Sequence, residues 1–342
     1  MKISILGTGR WASNLAGLCL KNGHEVLAFE KILPNYPESE FFATGKNSYI
    51  DLSYFKKNGQ LKFTHNLEEA INFSDFIIIS ILSQKLDEFM QDVKQVKNYK
   101  NKHYCLAMKG VEATTGRTLS EIMIDNIVDK DNVVALAGPG HVQSISAGKK
   151  THMVVAGYEK NLATEYKDIL SNDSFMLFLN PDVKGVEICA AAKNVYGAMA
   201  GICVGSENDT LRGSLMCASL AEMEHYLSSM QCMSKTARRL PLLGDYDATM
   251  YDRNSHNLNY GIEIVRQNTI EPKLNFVSVE GKEAVSGLIR RMIQHNKQVS
   301  DSMQLKAPLL SAYQDIVKGE VEPKQAVYHI EKAIQDVYSM DD

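Results

Sequence analysis

The N-terminus of this chain combines three features in the order that a phosphate-binding turn requires. A short apolar run at Lys2–Leu6 leads directly into Gly7-Thr8-Gly9, and apolar side chains then recur at helical spacing. Gly7 permits a tight turn, and Gly9 lets the backbone approach a ligand closely. The exposed N–H groups and the positive end of the helix dipole at such a turn attract an anion. This order predicts a strand–turn–helix unit that binds the pyrophosphate of a dinucleotide.

Two further positions, in the G-x-G-x-x-G pattern and at the end of the next strand, are expected to belong to the same dinucleotide site. Ala12 occupies the third glycine position, where a small residue lets the helix pack on its strand. Glu30 ends the second predicted strand, 21 positions after Gly9, where a carboxylate would bind the adenosine ribose hydroxyls and repel a 2′-phosphate. Lys31 would instead attract a 2′-phosphate. The alternative interpretation of Glu30 is a solvated residue at the end of a strand. The pattern favours NAD over NADP.

Length and composition exclude several classes of protein. The 342 residues, 44% hydrophobic and 23% charged, suffice for two globular domains and differ from a disordered chain. The net charge of −4, without a long run of Lys and Arg, argues against a nucleic-acid surface. No segment has the length of a membrane span or the pattern of a signal peptide. Six scattered cysteines without a C-x-x-C pair indicate free thiols, so we expect a cytoplasmic protein with no metal site.

Short β-branched runs alternate with helical segments in the N-terminal half, which is typical of a parallel-rich sheet covered on both faces. The predicted strands are 2–6, 25–29, 76–80, 103–108, 133–137, 153–156 and 175–178. The polar, aperiodic segment 31–59 is interpreted as an elaborated loop near the adenine end of the ligand.

From about Lys184 the chain becomes rich in Ala, Met, Leu and Glu, with apolar residues three and four apart. The predicted helices are 186–204, 211–227, 281–296, 308–317 and 323–337. The predicted fold is α/β, with a Rossmann-like dinucleotide-binding domain at 1–181 followed by an all-α domain at 182–342. Such a pairing predicts a substrate site in the cleft between the domains.

A single lysine, Lys193, stands in the small and mostly apolar helix EICAAAKNVYGAMAG. Desolvation there would lower the pKa of its ammonium towards neutrality, as general acid–base catalysis requires. A lysine that extends its ammonium to the helix surface is the alternative. Asn194 beside it is placed to orient a substrate oxygen.

Two other charged residues are candidates for the same chemistry. Lys109 closes an apolar strand, and the carboxyl ends of parallel strands point towards bound ligands. Asp245 follows Leu243-Gly244 in a predicted loop, where a carboxylate near Lys193 would hold the ammonium in place. The alternatives are a surface lysine in a turn and an ordinary aspartate turn.

Six motifs occur in a specific order along nearly the whole chain. They are G-x-G-x-W-[GA] at 7–12, K-G-[IVL]-E at 109–112, a G-P-[ST]-[FH]-like segment at 138–141, A-x-K-N-V-x-A-x-A-x-G at 191–201 with Gly197 and Met199 for two alanines, G-D-x-x-x-T at 244–249 and V-E-G at 279–281. In this order the chain resembles the soluble, bacterial-type NAD(P)-dependent glycerol-3-phosphate dehydrogenases.

The resemblance implies a role for each matched residue. Lys193 would exchange a proton with the substrate carbonyl oxygen, while Lys109 and Asp245 complete the catalytic group. The implied substrate-binding residues are Lys109, Gly138, Gly140, Lys193, Asn194, Asp245, Thr249, Ser255, His256 and Asn257. The implied cofactor-binding residues are Gly7, Gly9, Arg10, Trp11, Ala12, Glu30, Lys31, Lys109, Val142, His256 and Glu280.

The activity implied by the resemblance is hydride transfer between NAD(P)H and dihydroxyacetone phosphate, giving sn-glycerol 3-phosphate for phospholipid synthesis. A homodimer through the helical domain is also expected. Two alternatives stay open: a related dehydrogenase of another small keto or hydroxy compound, and a non-catalytic nucleotide sensor. The joint presence of Lys109, Lys193 and Asp245 counts against the sensor.

The departures from the family pattern cluster on the side expected to bind phosphate. His256 stands where the family motif S-R-N has arginine, and Arg253-Asn254 is a possible substitute three residues earlier. A neutral histidine is a poorer partner for a dianion than a bidentate arginine. We therefore expect weaker, pH-dependent phosphate binding or a related substrate. The other departures are Gly140 for serine, Thr210 for asparagine and Ala218 for arginine.

Overall fold

The computed structural model of the protein describes residues 1–32, 37–126, 128–252, 255–275 and 279–340. Backbone contacts divide the chain into two compact units. Unit 1 comprises Met1–Met108 and Leu119–Val183, and unit 2 comprises Lys109–Thr118 and Lys184–Asp342. The short segment Lys109–Thr118 therefore folds with the second unit, whereas the division expected at 181/182 assigned it to the first.

Within its described residues, unit 1 contains one sheet of eight strands. These are β1 (Lys2–Leu6), β2 (Glu25–Phe29), β3 (Leu61–Thr64), β4 (Phe76–Ile79), β5 (His103–Leu106), β6 (Val133–Ala137), β7 (Thr151–Gly157) and β8 (Phe175–Asn180). The strand order is β3-β2-β1-β4-β5-β6-β7-β8, and only the pair β6 and β7 is antiparallel. The predicted parallel-rich sheet is confirmed.

Both faces of the central strands of this sheet are buried, whereas Met176 and Phe178 of the edge strand β8 are exposed. On β4, Ile78 packs in one apolar core, while Ile77 and Ile79 pack in the other, because successive side chains of a strand point to opposite faces. A continuous apolar run such as FIII is typical of a strand covered by helices on both sides. The helices of unit 1 are α1 (Arg10–Lys21), α2 (Glu40–Thr44), α3 (Ser53–Lys57), α4 (Leu67–Phe73), α5 (Leu86–Val93), α6 (Leu119–Asp125), α7 (Val142–Ser146) and α8 (Lys160–Leu170).

The interpretation of segment 31–59 as a loop is wrong in part. Its described residues contain α2 and α3, and β3 follows them, although no strand was predicted there. Each of the two helices has five residues, which is too short to show a helical periodicity. Ser39 caps α2 through its side chain, and Gly45 ends the helix in the left-handed conformation at a φ of 76°.

The described residues of unit 2 form helices and their connections, apart from the segment Lys109–Thr118, which contains an antiparallel bridge between Val111 and Thr118. The helices of unit 2 are α9 (Val183–Gly205), which starts at the boundary, α10 (Leu211–Ser229), α11 (Asp245–Tyr251), α12 (His256–Arg266), α13 (Glu280–Asn296), α14 (Pro308–Val317) and α15 (Ala326–Tyr338). The five predicted helices are present with small shifts at their ends. The short, polar helix α11 and the helix α12 were not predicted.

Helix α9 forms the centre of unit 2. It is apolar on all sides, and nearly every side chain from Val186 to Cys203 is buried, as expected for a core helix. Contrary to the expectation that no segment has the length of a membrane span, this helix among the described residues has the length and composition to cross a membrane. However, 89% of its most apolar window lies buried inside the structure, as in a core helix.

Candidate active site

The glycine turn between β1 and α1 is built for close approach by a ligand. Gly7 has a φ of +127°, and a Cβ there would overlap the carbonyl oxygen of Ser80, so only glycine fits. A Cβ at Gly9 would meet nothing within 4 Å, which leaves open space above the turn. Helix α1 then starts at Arg10 without an acidic residue in its first turn. This open cradle at the positive end of a helix fits a dinucleotide pyrophosphate.

A second glycine segment of unit 1 packs against an aromatic residue of α1. A Cβ at Gly140 would lie 2.6 Å from the sulfur of Met153 and 2.9 Å from the indole of Trp11. Gly138 is similarly restricted, with a φ of +125° and the Cα of Met153 at 3.1 Å from a Cβ. The space that a serine side chain would take at position 140 is therefore filled by Trp11 and Met153. Val142, a predicted cofactor residue, is the first residue of α7 after this segment.

The two charged residues at the end of β2 each have a partner. The carboxylate of Glu30 accepts hydrogen bonds from the backbone N–H of Ser39 at 3.1 Å and from its hydroxyl at 2.8 Å. The ammonium of Lys31 pairs with Asp92 at 2.7 Å on the surface. The N-terminus of α2 thus holds Glu30 in place, and the opposing charge of Lys31 is compensated by Asp92.

Arg10 is the first residue of α1 and is held by the segment between α2 and α3. Its guanidinium donates a hydrogen bond to the hydroxyl of Tyr49 at 3.2 Å and lies 5.5 Å from the centre of that ring. Asn47 reinforces the contact by donating to the hydroxyl of Ser13 at 2.7 Å. Sequence analysis missed Ser39 and Tyr49, because no local motif marks residues that reach the turn from a separate segment.

In unit 2, one buried carboxylate lies between two lysines. Asp245 is 1% exposed, and its Oδ2 is 2.5 Å from the Nζ of Lys109. Its Oδ1 is 3.3 Å from the Nζ of Lys193 but has no hydrogen-bond partner among the described residues. The three residues singled out for catalysis are therefore brought together, although 136 positions separate Lys109 from Asp245. One buried acceptor at this site, the Oδ1 of Asp245, therefore has no hydrogen bond from the described residues.

The ammonium of Lys193 is held by a threonine as well as by the carboxylate. It donates a hydrogen bond to the hydroxyl of Thr249 at 3.0 Å, and that hydroxyl donates to the backbone carbonyl of Asp245 at 2.7 Å. Burial is the largest influence on Lys193 and lowers its pKa from the ordinary lysine value. The carboxylates of Asp245 and Glu280 oppose this shift, and the cation of Lys109 adds to it.

The prediction that Asp245 lies in a loop is wrong. Asp245 is the first residue of α11 and follows the π-helical turn Leu240–Gly244. Thr249 lies one turn further along the same helix, on the same face, because residues four apart are neighbours on a helix surface. The G-D-x-x-x-T spacing thus reflects a helical face, and a carboxylate at the start of a helix is favoured by the helix dipole.

A second group of predicted residues forms a chain of hydrogen bonds in unit 2. Asn194, fully buried on α9, donates to the carboxylate of Glu280 at 2.8 Å. Asn257 on α12 donates to the carbonyl oxygen of Asn194 at 2.9 Å and accepts from the backbone N–H of Gly281 at 3.0 Å. The side chains of Asn194, Asn257 and Glu280 are therefore connected.

Two family models together match most of the chain. A model of the N-terminal part of NAD-dependent glycerol-3-phosphate dehydrogenase matches residues 2–163, and a model of its C-terminal part matches residues 182–328. The chain belongs to the NAD-dependent glycerol-3-phosphate dehydrogenase family. The resemblance proposed from the six motifs is confirmed, and with it a cofactor of the NAD(P) type.

Similar curated proteins and solved structures cover almost the whole chain. A glycerol-3-phosphate dehydrogenase (NAD(P)+) of Staphylococcus epidermidis is 26% identical over 95% of this chain and 96% of its own length. A protein of the same name from Fusobacterium nucleatum is 28% identical over 90% and 92%. The crystal structure of glycerol-3-phosphate dehydrogenase from Coxiella burnetii has a TM-score of 0.78, 21% identity and coverage of 97% and 98%. The structure of DsGPDH of Dunaliella salina has a TM-score of 0.82 at 17% identity, covering 96% of this chain and 60% of that one. The structural likeness shows the fold.

One departure from the family pattern, His256, lies at the start of α12, whereas Thr210 precedes α10, Ala218 lies on α10 and Gly140 lies in unit 1. His256 is the first residue of this helix, and Ser255 caps it by accepting a hydrogen bond from the backbone N–H of Leu258 at 3.3 Å. Arg253 and Asn254, the alternative to His256, lie outside the described residues. The choice between His256 and Arg253 therefore stays a prediction.

Proposed function

We propose that this member of the glycerol-3-phosphate dehydrogenase family interconverts dihydroxyacetone phosphate and sn-glycerol 3-phosphate. The observation that carries the proposal is the buried carboxylate of Asp245 between the ammonium groups of Lys109 and Lys193. Two cations around a ketone oxygen stabilise the negative charge that develops there during reduction. One of them also supplies the proton that completes the alcohol.

Lys193 is the proton donor in this proposal. Its Nζ transfers a proton to the oxygen of the reduced ketone, and the lysine becomes a neutral amine. Burial lowers the pKa of Lys193, which makes this transfer easier than from an exposed lysine. Thr249 and Asp245 keep the Nζ in one position. When bound, NAD(P)H supplies the hydride that the ketone carbon receives.

Asp245 has two functions in the same step. It compensates the charges of the two lysines, and its Oδ1 is a buried acceptor without a hydrogen-bond donor in the described chain. This oxygen is ion-paired with Lys193 at 3.3 Å and can accept a further donor from a ligand. The hydroxyl group of dihydroxyacetone phosphate is such a donor, and the amide of Asn194 is a second polar group for the substrate.

The glycine turn at Gly7 and Gly9, with Arg10, Trp11 and Ala12, is the proposed cofactor site. The open space at Gly9 supports it. We propose NAD as the better cofactor, because Ser39 holds the carboxylate of Glu30 at the strand end while Lys31 is paired with Asp92.

The purified chain tests these assignments directly. Oxidation of NADH or NADPH with dihydroxyacetone phosphate is followed at the nicotinamide absorbance, together with a panel of other small ketones. Turnover of dihydroxyacetone phosphate, faster with NADH, is the expected result. Turnover of a different ketone alone would favour the related dehydrogenase, which the filled space at Gly140 and the histidine at position 256 support. Cofactor binding without any turnover would favour the sensor.

We also propose that the protein is a cytoplasmic homodimer that supplies phospholipid synthesis. Cys19, Cys105 and Cys203 are buried free thiols, which supports a reducing compartment. Sedimentation of the purified chain tests the dimer, and a sedimenting monomer would contradict it.

A further inference from the structure

Helices α9 and α12 contact each other through backbone atoms. A Cβ at Gly201 of α9 would overlap the carbonyl oxygen of Leu258, and one at Gly261 of α12 would overlap that of Ala198. One turn further along α9, a Cβ at Gly205 would again lie within 3 Å of the α12 backbone. Any larger residue would separate the two helices. Glycine therefore sets their spacing.

This close approach brings a side chain of α12 to the catalytic helix. Asn257 lies one turn before Gly261, and its carboxamide reaches Asn194, the neighbour of Lys193 in α9. Asn257 is 6% exposed and Asn194 is fully buried, so water does not compete for these hydrogen bonds. Gly281 must also be glycine, since a Cβ there would lie 2.9 Å from the backbone oxygen of Asn194.

The two ends of the hydrogen-bond chain determine the orientation of both amides. The backbone N–H of Gly281 is only a donor, so the Oδ1 of Asn257 must face it. The NH2 group of Asn257 then donates to the Oδ1 of Asn194. The NH2 group of Asn194 in turn donates to the carboxylate of Glu280, which is only an acceptor. Neither amide can be reversed without losing two hydrogen bonds.

We propose that Asn257 is a positioning residue for Lys193, because its fixed carboxamide orients Asn194 and thereby holds the Glu280 carboxylate within electrostatic reach of the catalytic ammonium. The inference rests on the proposed function of Lys193 as proton donor. Glu280 is exposed at the start of α13, and its hydrogen bond to Asn194 restrains the carboxylate. The contact of Asn257 with substrate stays a separate prediction.

The charged groups that face Lys193 indicate the direction of the effect. Asp245 and Glu280 favour its charged form, whereas burial and Lys109 oppose that form. Release of Glu280 removes one of the two favourable carboxylates. The pKa of Lys193 then falls further, and the proton is lost at lower pH.

The pH dependence of kcat for ketone reduction tests the proposal. In Glu280→Gln, which keeps an acceptor for Asn194 but loses the charge, the alkaline limb moves down by about 0.5–1 pH unit. In Asn257→Ala the same limb moves in the same direction by a smaller amount. The double variant shows no more shift than Glu280→Gln alone, because Asn257 acts through Glu280.

Asn296→Ala is the matched control. Asn296 lies on α13 and, like Asn257, accepts a hydrogen bond from one backbone N–H and donates one hydrogen bond, in its case from the N–H and to the carbonyl of Leu305. This variant loses the same number of hydrogen bonds without touching the Asn194 chain. The alkaline limb of its kcat profile stays at the same pH as in the wild type, even if its thermal stability falls. If Asn257→Ala does not fold, Asn257→Ser removes the same bridge with a smaller loss of polarity and is expected to give the same shift.

A second readout does not depend on turnover. The rate at which acetic anhydride acetylates Lys193 is measured against pH in the protein without cofactor, with mass spectrometry of the peptide. The midpoint moves down in Glu280→Gln and Asn257→Ala and stays in place in Asn296→Ala. An unchanged midpoint and limb in folded Asn257 variants would overturn the inference while the wild type still reduces dihydroxyacetone phosphate. A wild type without turnover, in contrast, would contradict the proposed function, and the acetylation midpoints would still decide the role of Asn257.

Discussion

The glycine turn of unit 1 and the lysine site of unit 2 are built in opposite ways. The turn lets a ligand approach the backbone because Gly7 and Gly9 have no side chains, and these residues lie close together in the sequence between β1 and α1. The lysine site works by charged side chains, and 136 positions separate Lys109 from Asp245. A backbone site needs correct local conformation, whereas a charge site needs burial and compensation from distant elements. The two regions should therefore respond differently to substitution.

The largest expected effect is on turnover at the lysine site. Lys193→Ala removes the proposed proton donor and should lower kcat by about 10²–10⁴-fold. The affinity for NADH, measured by fluorescence titration, should stay nearly unchanged, because the glycine turn is intact. Lys184→Ala is the matched control, since Lys184 lies on the same helix and donates only to the backbone oxygen of Met230 among its described contacts. A kcat for Lys193→Ala within threefold of the control would remove Lys193 from the chemistry.

At the glycine turn the expected effect is on cofactor affinity. Gly9→Val places a side chain in open space, so the fold is kept while the pyrophosphate position is obstructed. We expect the Kd for NADH to rise about 10- to 100-fold with little change in Tm. Gly7→Ala is the contrasting variant, because its φ of +127° and the Ser80 oxygen exclude a Cβ. It should cost about 1–3 kcal/mol of unfolding free energy. Equal stability losses in both variants would contradict the distinction.

A third buried charge in unit 2 contributes to stability and lies outside the proposed chemistry. Burial raises the pKa of Glu222 to about 7, although Tyr196 and the first backbone N–H groups of α14 donate hydrogen bonds to it. Because the folded-state pKa lies above the unfolded value, the folded protein binds more protons between pH 4.5 and 7. The stability contributed by Glu222 is therefore complete below pH 4.5 and is lost as the pH rises to about 7.

Denaturant unfolding between pH 4.5 and 7 measures this effect. The wild type should lose about 1–3 kcal/mol across the window, and Glu222→Gln should lose less. The alkaline limb of kcat should be the same in both proteins, because Glu222 does not face Lys193. Identical pH slopes in the two proteins would show that Glu222 ionises as easily in the folded as in the unfolded chain.

The smallest expected effect concerns phosphate binding at the start of α12. If His256 binds the substrate phosphate, KM for dihydroxyacetone phosphate should rise a few-fold between about pH 6 and 8, as imidazole loses its proton. His256→Arg should give a lower and flatter KM, because arginine stays charged and binds phosphate through two donors. A flat KM in the wild type would remove His256 from the anion site.

Much of the fold was predictable because its signals are local. The apolar runs of the strands and the three-to-four spacing in the long helices appear within windows of ten to twenty residues. The short helices α2 and α3 and the strand β3 were missed, since four or five residues carry too little periodicity. Helix α11 was missed because its sequence DYDATMY is polar and follows a π-helical turn.

In the candidate site, too, some residues have a local sequence signal and others have none. Lys193 was conspicuous as a lone charge in an apolar helix, and Gly7 and Gly9 were conspicuous as a turn after a strand. The positions of Ser39 at Glu30 and of Trp11 and Met153 at Gly140 have no local sign, because each contact joins separate segments. The glycine contact between α9 and α12 likewise cannot be recognised from the sequence of either helix, because it depends on how the two helices pack.

From its order of residues alone, this chain specified an α/β unit with a dinucleotide turn, a helical unit, and a lysine suited to proton transfer. Local conformation and the burial of apolar faces depend on residues that are close to each other in the sequence, so the sequence shows them directly. Tertiary structure decided which carboxylates face Lys193, how the amides of Asn194 and Asn257 are oriented, and what fills the space beside Gly140. Those features depend on distances between segments that are far apart in the chain, and only the packed fold sets these distances.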